Sequence, residues 1–408
     1  MIPTNQTDCV AQDMYSPGRF WAIAGASCMA FLGVVTNCIL YHVFIQLRKG
    51  ELRSKKTTHL YLTVLSILDA CFCFCFCLIY GLDAVALYYH VRALLLLYYA
   101  TIVYVFALSR VVQFGIPYMI ILATFEKWLL TLEGRQWRKL GVWLTADRMR
   151  YLIAAAACLM ASCLRVPSMW AYNVQIFENC TQLFGSLQLQ PTAFSQSQFY
   201  FVVNFYVVNI MGVFVPFVVL LTLNITILRN MVAQRARDGL YVPAKIITLL
   251  ALQSLDLTTD VTQQNGETGF WVHLNQYLSD PEGATCDPLL TSNVERAEEK
   301  TKRKLQLRQT TVSIVVLVST YLLCTAPHFV LTVLEQFDSS MLVKADGTST
   351  RLYLIWADLV SAGFVLSSFL RVVVFYVCNQ QVRQRINHLF CLDSNAVDPV
   401  TGSLETAV

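Results

Sequence analysis

Ionisable side chains stand inside stretches that are otherwise apolar: Asp69 in LYLTVLSILDACF, Arg110 in VFALSRVVQF, Glu126 beside Lys127 in MIILATFEKWLL, and Arg371 in SSFLRVVVF. A charge surrounded by hydrocarbon is costly, so such residues usually face inward and pair, or they line a path for a ligand or ion. A carboxylate and a cation at matched depth can form an ion pair that holds one conformation and, once broken, releases another. The sequence shows no Ser/His/Asp arrangement, metal-ligand spacing or phosphate-cradling loop, so it points away from an enzyme, and no cofactor is expected.

The elements that must carry these charges are long. Of the 408 residues, 56% are hydrophobic and only 14% charged, where a soluble domain carries about a quarter charged. The apolar excess needs lipid to face. Runs near the ~20 residues required to cross a bilayer fall at 20–46, 59–82, 95–131, 150–172, 198–229, 309–336 and 352–378. The expected fold is an all-α membrane protein, a seven-helix bundle. The third run is long enough to be two short spans and contains Pro117. Asn5 and Asn179 both start N-glycosylation sequons, and if both are used an even number of spans separates them. A single third helix satisfies this and a split one does not. A further sequon at Asn224 lies inside the fifth run and should be silent. The first 19 residues are polar and lack the charged start and short apolar core of a cleaved signal peptide.

Basic residues collect in LRKGELRSKK, in the loop holding Arg135, Arg138, Lys139, Arg148 and Arg150, and at Arg383 and Arg385. The positive-inside rule then puts the N-terminus outside and the C-terminus in the cytoplasm of a plasma-membrane protein. On this threading residues 1–19 are extracellular, 20–229 hold spans one to five, 230–308 form a long, mostly disordered cytoplasmic loop, 309–378 hold spans six and seven, and 379–408 are a cytoplasmic tail. Val382, Ile386 and Leu389 with Phe390 share one helical face, which predicts a short amphipathic helix on the inner leaflet after the seventh span. Cys391 beyond it is either a palmitoylation site or a free thiol. The closing SLETAV places Thr406 and Val408 where a PDZ domain would read them. Cys9 and Cys180 fall on the oxidising side and are candidates to pair. The net charge of +4 suggests no nucleic-acid partner.

With these spans in place the chain resembles rhodopsin-like (class A) G-protein-coupled receptors, and most of all divergent invertebrate neuropeptide-type members. GVVTNCIL places Asn37 on the family's first-span Asn. Asp69 falls on its second-span Asp, and FVPFVVLLTLNI places Pro216 on its fifth-span Pro. YLLCTAPHF resembles the sixth-span Cys-Trp-x-Pro motif through Cys324 and Pro327, with Thr325 replacing the Trp and Tyr321 in the family's aromatic position. Glu126, Lys127 and Trp128 fall on the Asp-Arg-Tyr motif, in which the acid restrains the base at rest. Lys127 lacks the planar fork of Arg; the alternative is a helix-end Lys reaching for headgroups. The third-span Cys and fourth-span Trp are missing, and the seventh-span Asn-Pro-x-x-Tyr appears as RVVVF, Arg371 to Phe375, or one residue earlier with Arg371 on the Pro.

In the family, the second-span Asp and seventh-span Asn help to bind sodium. Arg371 lies about eight residues from the inner end of its run and Asp69 about ten, so their depths differ by roughly 3 Å. A fixed Asp69–Arg371 pair in place of the ion is therefore expected, unless Arg371 snorkels inward.

The resemblance implies an extracellular ligand held between the outer halves of the spans, a heterotrimeric G-protein partner, and signalling by outward movement of the sixth helix, with bends at Pro216 and Pro327. Candidate ligand residues are Asp83, Arg110, His328, Glu335, Trp356 and Asp358. Arg110 could meet a carboxylate or instead cap a neighbouring carbonyl. The third span has no acid at the position that amine receptors use, and the seventh has no Lys for a retinal Schiff base, which leaves a peptide favoured. The altered motifs keep two alternatives open: a receptor-shaped scaffold or scavenger that engages no G protein, and a seven-span channel or transporter. The last would favour internal repeats, and none is visible.

Overall fold

Backbone amides and carbonyls inside hydrocarbon must pair with one another, and helices meet that demand within a single segment. In the computed structural model seven helices are long and apolar enough to cross a membrane: Pro17–Lys49, Leu60–Tyr88, Arg92–Leu129, Arg148–Trp170, Gln198–Ala233, Gln309–Glu335 and Ile355–Cys378. They match the runs read from the sequence. The third is one unbroken helix, Arg92–Thr131, with Pro117 inside it. The structure describes residues 17–52, 59–131, 146–176, 186–237, 288–337 and 351–390. Asn5, Cys9, Asn179, Cys180, Cys391, Thr406 and Val408 lie outside these residues, as does most of the 230–308 loop.

The chain divides into two units, Met1–Asn230 with Ser313–Val408, and Met231–Val312. In the second, the described residues are helical. The first holds the core, which draws on Leu40 and Phe44, Leu65, Ile116, Met119 and Ile120, Leu220, Ile314 and Phe375, all essentially inaccessible. Phe44 and Phe375 meet edge to face at 5.2 Å. The outer surface is also apolar: Leu323 is 77% exposed, Phe199 74%, Ile355 67% and Leu159 65%. Large exposed side chains of this kind on every side suit lipid, not water.

Small residues let the helices approach closely. In the Cys-rich second span Cys73 and Cys75 are buried, and a Cβ on Gly33 of the first span would stand 2.8 Å from the Cys73 sulfur. A Cβ on Gly363 of span seven would stand 2.5 Å from the Cys324 carbonyl oxygen in span six. Backbone cannot rotate away as a side chain can, so Gly363→Ala must push the two spans apart. Overpacking of this kind costs typically about 1–3 kcal/mol. The expected result is a lower unfolding midpoint for the purified protein, read by thermal denaturation, with Gly363→Ser at least as harmful.

The fourth span tightens to a 3-10 helix at Val166–Trp170, and two others widen. The second widens to a π-helix at Cys77–Gly81. The fifth does so at Val203–Val208 and Ile210–Phe214, just before Pro216. Tyr118 of the third span donates to the Met211 carbonyl at 2.7 Å within this wide stretch, so an oxygen loosened from the regular ladder finds a partner. Between spans four and five the chain forms a hairpin that the sequence reading did not anticipate: β1 (Tyr172–Ile176) pairs antiparallel with β2 (Leu187–Pro191).

After the seventh span comes a short helix, Gln380–Leu389, capped by the Asn379 side chain, which accepts from the amides of Gln381 at 3.1 Å and Val382 at 3.3 Å. Val382 and Ile386 are buried against the bundle, whereas Leu389 and Phe390 are exposed. The amphipathic helix read from the tail is present, with its apolar face divided between protein and surroundings.

Candidate functional site

The half of the bundle nearer the short helix Gln380–Leu389 contains a buried polar network across three spans. Asp69, wholly inaccessible, accepts from Arg371 Nη1 on one oxygen and from Ser368 Oγ at 2.9 Å on the other. Arg371 and Ser368 lie three residues apart on the seventh helix, hence on one face. Asn37 of the first span donates Nδ2 to the Gly33 carbonyl at 2.9 Å and to the Ser368 carbonyl at 3.2 Å. Ser368 thus joins Asn37 to the ion pair, a role that its residue type alone does not announce. Tyr321 of span six is buried and lies within electrostatic range of Asp69 and Arg371.

Glu126 and Lys127 stand at the C-terminal end of span three, 6% and 4% exposed. Burial to this degree means that Lys127 is covered by protein, without extending toward headgroups. It lies within electrostatic range of Glu126, but the carboxylate has another partner. Arg150, at the start of span four, donates Nη2 to Glu126 Oε1 at 2.5 Å, with both side chains 7% exposed. The sequence reading placed Arg150 among the basic loop residues that orient the chain; the structure adds an ion pair between spans three and four. Charge-assisted bonds of a guanidinium to a carboxylate are shorter and stronger than neutral ones.

Toward the other end lies a cavity lined by residues of spans three to seven. Of the candidate ligand residues, Arg110 and His328 line it, together with Gln113, Arg165, Tyr321 and Thr325, Pro216 and Phe364. Asp83, Glu335, Trp356 and Asp358 do not. Asp358 pairs with Arg19 at 3.4 Å in a partly exposed position. Trp356 donates Nε1 to the Pro327 carbonyl at 2.9 Å, tying span seven to the bend of span six. Glu335 hydrogen-bonds with Tyr353. Asp83 lies partly buried in the helix after the π turn of span two.

Arg165 was missed because an Arg near the end of a span usually snorkels. Here its guanidinium lies 5.6 Å from the Phe114 ring, and that of Arg110 lies 4.8 Å from the Phe106 ring. Such contacts return up to about 2 kcal/mol, against the roughly 2.5–3.5 kcal/mol that an Arg costs at the centre of a membrane helix. Neither has an ion-pair partner among the described residues.

The comparisons with known proteins agree with the architecture. The family described as 7 transmembrane receptor (rhodopsin family) matches residues 36–365. Among solved structures, the crystal structure of squid rhodopsin superposes with a TM-score of 0.53, covering 93% of this chain and 87% of that one, at 10% sequence identity. An identity that low speaks for the fold alone. No curated protein matches.

Proposed function

The chain belongs to the rhodopsin family of seven-transmembrane receptors, and on that premise we propose that it is a cell-surface receptor for a peptide ligand, coupled to a heterotrimeric G protein through outward movement of the sixth span. The observation that carries this reading is a junction at Tyr321. The residue lines the outer cavity and lies within electrostatic range of the Asp69–Arg371 pair below it. A ligand that displaces Tyr321 therefore acts on the polar network without touching it.

The neighbouring contacts support a hinge. Pro216 and Pro327 each withhold an amide from the helical ladder. Phe329 of span six stacks on Phe217 of span five at 4.6 Å, and Asn224 of span five bonds Ser319 of span six at 2.9 Å. Outward movement of span six has to break these few contacts, so a ligand that prefers the open arrangement can shift the population toward it. Glu126 and Arg150 would hold the inner end until then. The same reading places the N-terminus outside, with glycans on Asn5 and Asn179 and a Cys9–Cys180 disulfide. Inside, it places an acyl chain on Cys391 and a PDZ-domain partner on Thr406 and Val408.

A panel of neuropeptides applied to cells displaying the receptor, with several second messengers recorded, tests the proposal. At least one peptide is expected to give a saturable response that is absent from untransfected cells. Silence in every readout from a receptor verified at the surface would favour the scaffold reading, which Lys127 in place of Arg and Arg371 in place of Asn already supports.

A further inference from the structure

Two guanidiniums and an imidazole converge on the outer cavity. Arg110 enters from span three, Arg165 from span four and His328 from span six, and His328 lies within electrostatic range of both guanidiniums. The two fully buried Arg side chains described above, Arg150 and Arg371, sit on carboxylates. Arg110 and Arg165 rest on aromatic faces instead, and Arg165 Nε is buried with no hydrogen-bond partner among the described residues. Glu335 and Tyr353, which lie within electrostatic range of Arg110, bond each other. Among the described residues Glu335 is near Arg110 but pairs with neither guanidinium, and positive charge left over inside a helix bundle marks a place where negative charge is supplied from elsewhere.

The dimensions narrow the choice. The cavity measures about 30 Å³, and one water-sized group needs roughly 10–15 Å³ of such space, so it admits a group the size of the two oxygens of a carboxylate. Gly212 leaves its wall open: a Cβ there would stand 3.1 Å from Phe114 and 3.6 Å from Arg165 Nη2. On its other side Arg165 borders a second cavity of about 180 Å³ whose walls include Leu164, Phe194, Phe199 and Val203. An anion on Arg165 therefore has apolar room beside it, which a bare halide would not use and an apolar side chain would.

We propose that Arg110, Arg165 and His328 form an anion site for one carboxylate, and that this carboxylate belongs to the receptor's ligand and is carried on an apolar residue, as at the free C-terminus of a peptide. The inference rests on the receptor reading for its biological meaning, but its test does not require signalling.

Full-length receptor in lipid nanodiscs is heated with N-acetyl-leucine, with N-acetyl-leucinamide, or with added sodium chloride. The acid is expected to raise the unfolding midpoint by about 2 °C once its concentration is tenfold above its Kd; the amide, identical except for the charge, leaves it unmoved. Arg165→Gln and Arg110→Gln are each expected to abolish the shift. Without acid they should unfold at the wild-type temperature or above it, because each removes a partly buried charge that has no ion-pair partner among the described residues. An acid shift that survives both substitutions, or glutamine variants that unfold well below wild type, would overturn the site. A chloride shift with none from the acid would assign it to an inorganic ion and overturn the carboxylate. If a peptide panel activates the receptor while the acid binds nowhere, only this inference fails; if the acid binds while every second messenger stays silent, only the coupling fails.

Discussion

Replacing Arg371 with methionine is expected to strip most of the receptor from the cell surface. Asp69 has no exposure, and the substitution leaves it with the Ser368 hydroxyl as its remaining donor among the described residues. Breaking a buried ion pair on one side typically costs about 3–5 kcal/mol, a large share of the roughly 5–15 kcal/mol that separates a folded protein from its unfolded state. Asp69→Leu should be similarly harmful, since it strands the guanidinium, whose Nε is already buried without a partner among the described residues. The double substitution Asp69→Leu with Arg371→Met removes both charges and is expected to recover most of the loss, because an apolar pair of similar volume is often as stable as the buried ions it replaces. Surface display by antibody and the thermal midpoint of purified protein measure this directly. A double variant no better than either single would show that the two side chains do not act as a unit.

Glu126→Gln is expected to act on signalling more than on folding. The neutral amide keeps the shape but removes the charge that holds Arg150 at 2.5 Å and lies near Lys127. Each 1.4 kcal/mol withdrawn from the closed arrangement shifts its balance with the open one about tenfold, so losing even part of a buried pair should raise signalling without ligand several-fold. Arg150→Gln should reproduce the effect, and that expectation separates this pair from a restraint in which Glu126 acts on Lys127 alone. Basal second-messenger output, normalised to surface receptor, is the measurement. If both variants match wild type, Glu126 and Arg150 are a structural clasp between spans three and four and nothing more.

Much of the architecture could be read in advance because hydropathy and charge repeat the same message over tens of residues. Seven apolar runs, the single third helix and the capped helix at Gln380–Leu389 all follow from patterns longer than any local accident. The site was less legible. Depth along a span follows from counting, and counting put Asp69 level with Arg371. The rotational face does not follow when helices tilt and bend. Asp83, Glu335, Trp356 and Asp358 have plausible depths yet do not line the cavity, whereas Arg110 and His328 do. Arg150 and Arg165 were hidden for another reason: a basic residue at the end of a span already has an explanation in headgroups and membrane orientation, so nothing local demands a partner. The hairpin at Tyr172–Ile176 and Leu187–Pro191 was lost because its strands are only five residues each, too short for alternation to stand out.

The wide turns in span five have a practical consequence for anyone transferring positions from a relative. Each π turn accommodates one residue more than the α-helix around it, and one residue is about 100° of rotation. Above Pro216 the chain passes through Ile210–Phe214 and then Val203–Val208, so an alignment anchored on that proline to a relative whose fifth span is α-helical throughout slips by one position and then by two. By Tyr200 the accumulated error is about 200°, a little more than half a revolution. Mutagenesis planned from such an alignment would target lipid where it meant to reach the cavity.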